Sequence, residues 1–205
     1  MQKINRINQI KDLFIKIKDN NNTYAENISR KINSFSKVSK EKKNWEVFER
    51  DMQEEIYNSL EATYTITLKG MKKIYNIQNK DTVNKEIIEE LTYQEDNLTL
   101  DERIHNHCIN YKNQEEIKKQ NLLYDMMRIL NTETVYLFNH LLFKKIKENE
   151  EYIYAEVVNG DGCCERCSEW NNGDVWHIDE IVEPPYHPEC ECELVFWTAE
   201  EIGEQ

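Results

Sequence analysis

Residues that break helices are almost absent from the first 159 positions of this 205-residue chain. Gly70 is the only glycine among them, and all three prolines lie later. Because glycine and proline are the least favourable residues inside a helix, a segment so poor in both is predicted to be helical. The remaining residues hold four of the five glycines, all the prolines and five of the six cysteines. We therefore predict a mainly α fold with a small α+β C-terminal module.

The boundary between the two parts is placed where the last predicted helix ends. Residues 1–148 are predicted to form a helical region, with a hinge near residues 36–43, where the sequence is polar and basic. Residues 149–205 are predicted to form the module. Alternating apolar residues at 153–158 and an apolar run at 194–197 predict one short strand on each side of the cysteines.

Apolar residues recur every three or four positions through residues 4–17, 24–35 and 45–60, which predicts amphipathic helices. Three asparagines at 20–22 are predicted to separate the first two helices. Residues 64–68 resemble a strand locally, but the helical period on both sides assigns them to a helix. We expect these apolar stripes to act as docking arms that a partner or a second copy completes.

Local capping signals predict where the later helices begin. Asp81 or Thr82 is predicted to cap a short helix. Thr99 and Glu102 match a capping box, in which each side chain accepts a hydrogen bond from a free backbone N–H group. Asn131 is predicted to begin the last helix.

Charge is distributed unevenly along the chain, which has a net charge of −13. Residues 1–50 carry 12 basic and 6 acidic groups, a net of +6. Residues 51–150 carry 13 basic and 18 acidic groups, a net of −5, and residues 151–205 carry 1 and 15, a net of −14. The acidic end would repel a phosphate backbone, so any contact with DNA is expected through residues 1–50.

Two further classes are excluded by the pattern of apolar residues. No apolar run approaches the roughly 20 residues that a spanning helix needs. The N-terminus lacks the apolar block and cleavage site of a secretory signal. We expect a soluble chain that stays in the cytosol and has no membrane partner.

The C-terminal module contains two short metal-ligand motifs. Cys164 and Cys167 form a C-x2-C pair, and His187 and Cys190 form an H-x2-C pair, with 19 residues between the pairs. Two such turns supply the four ligands of a tetrahedral Zn²⁺ site. The sequence therefore predicts a structural zinc site, which would contribute folding free energy to a module too small for a large core.

The module offers more candidate ligands than a tetrahedral site can use. Cys163, His177 and Cys192 also lie nearby in sequence, and Cys192 is the reserve ligand that could replace His187 or Cys190. A disulfide, most readily between Cys163 and Cys192, would need an oxidising compartment. A redox C-x2-C motif and a catalytic zinc site with three protein ligands also compete with the structural zinc site.

The order of these motifs resembles the Mu-F-like phage minor head proteins, the phage head morphogenesis family. The resemblance covers residues of about 125–198, and its most specific part is the string PP-x-HP-x-C-x-C at the end. The matching positions are Thr132, Glu133, Asp161, Cys164, Cys167, Gly173, Pro184, Pro185, His187, Pro188, Cys190 and Cys192. Asn131 and Glu191 stand where the family often has arginine, and Cys163 is additional.

The resemblance implies a structural protein and not an enzyme. Relatives lie inside the phage head, in contact with the portal, and act in head assembly or in DNA packaging and retention. The implied partners are the portal protein and the major capsid protein, and self-association remains open. The implied location is the virion, with the host cytoplasm during assembly.

Two different functions compete with this expectation. The first is a small metal-dependent nuclease or hydrolase, with Asp174, His177, Asp179 and Glu180 as candidate residues beside the cysteines. These residues are equally typical of turns and solvated acidic surfaces. The second is a zinc-containing adaptor unrelated to phage.

Overall fold

Helices form most of the chain in this computed structural model, and a three-stranded antiparallel sheet lies near the C-terminus. The fold is mainly α with a small α+β C-terminal part, as predicted. The structure describes residues 2–38, 42–77, 83, 85–93, 98–114, 118–159, 164–187 and 189–203. The elements are α1 (Gln2–Ser36), α2 (Trp45–Tyr75), α3 (Lys85–Glu90), α4 (Leu100–Lys112), α5 (Lys119–Lys147), β1 (Tyr154–Asn159), α6 (Glu165–Ser168), β2 (Val175–His177), β3 (Cys192–Trp197) and α7 (Ala199–Ile202).

Two predicted helix breaks are wrong. Helix α1 continues for 35 residues through positions 20–22, and α5 continues through Asn131. The physical reason is a tertiary contact: Asn21 donates to Asn131 over 3.1 Å and accepts a hydrogen bond from Ser59 over 2.7 Å. Because these side chains bond to other helices, they do not compete for the backbone of their own.

Several local predictions are confirmed. Residues 64–68 lie within α2. The hinge near residues 36–43 stays a prediction, since residues 39–41 lie outside the described residues. Thr99 caps α4 through a capping box with Glu102, with hydrogen bonds of 3.2 and 2.8 Å. The candidate caps Asp81 and Thr82 lie outside the described residues.

Most residues of the apolar stripes in the N-terminal helices pack inside the chain, although Ile4 is 68% exposed. Ile10, Phe14 and Ile17 of α1 join a core with α5 and the sheet, while Ile28 and Ile32 join a second core with α2, α4 and α5. The first core therefore continues from the helices into the C-terminal module.

The sheet has the strand order β2-β1-β3. Ala155 of β1 lies opposite Trp176 of β2 on one side and Phe196 of β3 on the other. Strands β1 and β3 confirm the two predicted strands. Strand β2 was not predicted, because a three-residue strand is too short to show an alternating pattern.

Side chains from the helices bind the outer edge of β3. Asn139 of α5 donates to the carbonyl of Cys192 and accepts from the N–H of Leu194, both over 2.9 Å. The Tyr75 hydroxyl of α2 accepts from the N–H of Phe196 over 3.1 Å, and Arg6 of α1 donates to the Phe196 carbonyl over 2.9 Å. Strand β3 is therefore fixed against three helices.

Helix length and hydropathy bear on membrane insertion. Across the described parts of the chain, no helix combines the length and the apolar character that crossing a bilayer requires.

Candidate metal centre

The first ligand turn is formed by the short helix α6. Cys164 is its N-cap residue, and its carbonyl accepts hydrogen bonds from the N–H groups of Cys167 and Ser168, both over 3.0 Å. This turn places the Sγ atoms of Cys164 and Cys167 3.5 Å apart. Both sulfurs therefore face the same point.

The second turn brings His187 and Cys190 to the same place. The N–H of Cys190 donates to the carbonyl of His187 over 3.1 Å. The Nε2 atom of His187 lies 3.0 Å from Sγ of Cys164 and 3.2 Å from Sγ of Cys167. Sγ of Cys190 lies 3.7 Å from Sγ of Cys167. The four predicted ligands thus converge on one cluster, with Cys167 at its centre.

Cys192 joins the cluster as a fifth donor. The ligand atoms fall into two overlapping groups, each with all its atoms within 4.8 Å of one another. One group contains Cys164, Cys167 and His187, and the other contains Cys167, Cys190 and Cys192. We define these five residues as the metal centre. Cys163 lies outside the described residues.

The spacing of the sulfurs favours metal coordination over disulfide bonds. Sulfurs bound about 2.3 Å from a tetrahedral ion lie roughly 3.8 Å apart, whereas a disulfide holds them at about 2.05 Å. The observed 3.5 and 3.7 Å match the first case. All five described cysteines, including Cys108 far from this cluster in sequence, are free thiols.

The electrostatics of the cluster favour a bound cation. A backbone hydrogen bond from Cys167 lowers the pKa of the Cys164 thiol, and a hydrogen bond with Cys192 lowers the pKa of the Cys190 thiol. Burial raises the pKa of Cys167 to about 12. Hydrogen bonds within the cluster therefore favour the thiolate form of Cys164 and Cys190, and the thiolate is the form that binds a metal ion. The cluster could hold a metal ion, and its sulfur and imidazole donors fit zinc.

The acidic residues of the competing hydrolase site have separate contacts. Asp179 pairs with Lys147 over 3.0 Å, and its N–H donates to Nδ1 of His177 over 3.3 Å. Asp174 accepts a hydrogen bond from Asn172 over 2.7 Å, within a turn. In the described part of the chain, no metal-sized group of ligand atoms includes any of them.

Helix α5 supports the metal centre through residues that sequence reasoning did not assign to it. The N–H of Glu189, beside Cys190, donates to the hydroxyl of Thr132 over 3.4 Å. Glu133 faces the other way, fully buried, where it pairs with Arg103 and accepts from the N–H of Tyr93 over 2.9 Å. Asn139 of α5 also contacts this region, because it donates to the carbonyl of Cys192. In the sequence, the sign of such a role is a polar residue four positions after Val135 on an otherwise apolar helix face.

The candidate metal centre therefore consists of two turns that are far apart in sequence, and α5 contacts the second turn through Thr132 and the adjoining Cys192 through Asn139. Its sulfur and imidazole donors form two overlapping groups of three, and each group could hold a metal ion. No family model, no curated protein and no solved structure matches this chain.

Proposed function

We propose that this chain is a phage minor head protein that contacts the portal inside the head and acts in head assembly or in DNA packaging and retention. The single observation that carries the proposal is the meeting of the C-x2-C turn with the H-x2-C turn of the PP-x-HP-x-C-x-C string. These are the most specific positions of the resemblance to the Mu-F-like family. We place the protein in the virion and, during assembly, in the host cytoplasm.

We further propose that the metal is Zn²⁺ and that its role is structural. The ligands that we assign are Cys164, Cys167, His187 and Cys190. Cys192 is the alternative ligand, which could replace His187 or Cys190. Four protein ligands leave no open position for water, so the ion would fix the module and perform no catalysis. The protein is accordingly assigned as an interaction protein and not an enzyme.

The partners that we assign are the portal protein and the major capsid protein. Contact between DNA and residues 1–50 is restricted, because several basic side chains there already form ion pairs with acidic side chains of the same chain. Lys3 pairs with Glu156 over 3.0 Å, and Arg6 pairs with Glu201 over 2.6 Å. Self-association would use surfaces away from the buried part of the apolar stripes.

Co-expression tests this assignment. The tagged chain is produced together with the portal and major capsid proteins encoded by the same genome, and assembled heads are separated by sedimentation. We expect the chain to sediment with heads and with portal rings. A Cys167→Ser variant tests whether incorporation needs the metal site of the C-terminal module. We expect this variant to be absent from heads. If the intact chain never enters heads and never binds the portal, the assignment is wrong.

A further inference from the structure

A groove between α1 and α2 is separate from the metal centre and has no role in the proposed function. We call it the basic groove and define it by Leu13, Lys16, Ile66, Lys69, Lys73 and Ile74. Its volume is about 280 Å³. The two helices approach closely here because Leu13 packs where a side chain at position 70 would be: a Cβ atom on Gly70 would lie 2.2 Å from Cδ2 of Leu13.

The floor of the groove is apolar and its rim is positive. Leu13, Ile66 and Ile74 form the floor, while Lys16, Lys69 and Lys73 are exposed. Within the described residues, none of these three lysines takes part in an ion pair. Among the described residues that line the groove, Asp12 supplies the one carboxylate, so the net charge of the lining is positive.

The basic groove contrasts with the charge of the rest of the molecule. The chain has a net charge of −13, and residues 151–205 contribute −14. A long polyanion such as duplex DNA would be repelled by this background, whereas a short acidic segment would meet only the local lysines. The volume also lies below the roughly 300–1,000 Å³ of small-molecule sites, which favours the insertion of one or two side chains.

We propose that the basic groove binds an acidic amphipathic helix of a protein partner, with an apolar side chain on the floor and carboxylates at the rim. Lys69 and Lys73 lie one helical turn apart on α2, and Lys16 faces them from α1. Two carboxylates one turn apart on the partner helix would match Lys69 and Lys73. This inference stands without the assignment to a phage head.

The test uses a defined probe and the full-length chain. The probe is a fluorescein-labelled, acetylated and amidated helical peptide of about twelve residues, with two leucines one turn apart and glutamates at the flanking positions. Binding is followed by fluorescence anisotropy at low salt. We expect saturable binding that weakens as salt rises, because exposed charge pairs are screened. A peptide with glutamine in place of each glutamate should bind at least about tenfold more weakly.

Matched variants locate the binding site on the chain. Lys16→Glu/Lys69→Glu/Lys73→Glu should weaken peptide binding by about tenfold or more. The control is Lys112→Glu/Lys118→Glu/Lys144→Glu, which changes the net charge equally at exposed positions outside the groove. We expect the control to change binding by about twofold or less. Circular dichroism and thermal unfolding confirm that both variants are folded.

Three results would overturn the proposal. The first is no saturable binding of the glutamate peptide by the intact chain. The second is equal loss of binding in the two triple variants, which would indicate net charge alone. The third is groove-dependent binding of decanoate or of a duplex oligonucleotide in the absence of peptide binding, which would assign the groove to a fatty acid or to nucleic acid.

Discussion

The side-chain amide of Asn21 on α1 donates a hydrogen bond to the side-chain oxygen of Asn131 on α5, across 3.1 Å. The oxygen of Asn21 accepts a second hydrogen bond, from the hydroxyl of the buried Ser59 on α2. One asparagine thus joins three helices at a point where each offers a polar group. A buried polar network of this kind stabilises the fold only while every member keeps a partner.

Removing that asparagine should destabilise the helical region. We expect Asn21→Ala to lower the free energy of unfolding by about 1–3 kcal/mol, because the buried Ser59 and the half-buried Asn131 would lose their partner. The measurement is urea unfolding followed by circular dichroism. Asn22→Ala is the matched control, since Asn22 is exposed on the same helix and its loss should change stability by about 0.5 kcal/mol or less. Equal effects of the two substitutions would contradict the assigned role of Asn21.

Metal content should distinguish the central ligand from the reserve ligand. We expect the purified chain to hold one zinc ion per molecule, Cys167→Ser to lose it, and Cys192→Ser to retain it. The reason is that Cys167 belongs to both groups of ligand atoms, whereas Cys192 belongs to one. The measurement is elemental analysis by mass spectrometry.

A chelator supplies the control for this prediction. Removal of zinc should lower the melting temperature of the intact chain and leave that of Cys167→Ser unchanged, because binding free energy contributes to folding. Loss of zinc from Cys192→Ser, with retention in Cys190→Ser, would instead make Cys192 the fourth ligand.

Asn139 should be among the most sensitive positions of the chain. We expect Asn139→Ala to destabilise the fold by about 2–4 kcal/mol, since the carbonyl of Cys192 and the N–H of Leu194 would both be left without a partner in a buried place. Urea unfolding measures the effect. Asn149→Ala, at an exposed position, should have little effect. Similar stability for the two variants would show that water replaces the amide at this edge.

The ion pair between Arg6 and Glu201 should make the free energy of unfolding depend on pH in the acidic pH range. Burial would raise the pKa of Glu201, but hydrogen bonds from Arg6 and from the N–H of Thr198 outweigh it and lower the pKa below its ordinary value of 4.5. A lowered pKa in the folded state gives stability that is present above about pH 4.5 and is lost as the pH falls through the folded value.

Substitution tests that pH dependence directly. We expect Glu201→Gln to be less stable than the intact chain near neutral pH. The difference should begin to shrink below about pH 4.5 and vanish as the pH falls through the lowered folded-state pKa, where the carboxyl of the folded chain becomes protonated. Unfolding free energies of both proteins across this range measure the difference. A difference that stays constant with pH would mean that the charge of Glu201 contributes nothing.

The competing hydrolase function makes an opposite prediction for His177. We expect no hydrolysis of single- or double-stranded DNA by the intact chain in the presence of Zn²⁺, Mg²⁺ or Mn²⁺, and hence no difference from His177→Ala. Release of acid-soluble nucleotides is the measurement. Activity that His177→Ala abolishes without unfolding the chain would favour the hydrolase.

Local signals predicted the fold class, because helix propensity depends on residues close together in sequence. They also pointed to a group of residues that could hold a metal ion, whereas the exact set of ligands stays a prediction. The scarcity of glycine and proline predicted the helices, and the two spaced pairs predicted Cys164, Cys167, His187 and Cys190. The predictions at Asn21 and Asn131 were wrong because asparagine is a helix breaker only where its side chain bonds to its own backbone. The contacts of Asn139 and Tyr75 with β3 join residues more than 50 positions apart, which no local pattern encodes.

The occupied edge of β3 also restricts how this protein can associate with others. An open strand edge accepts strands from neighbouring chains, by β-augmentation or in aggregates. Here Asn139, Tyr75 and Arg6 already use the outward carbonyl of Cys192, the N–H of Leu194 and both backbone groups of Phe196. A partner that approaches this side of the sheet meets side chains instead of free backbone, so recognition there depends on surface shape and charge.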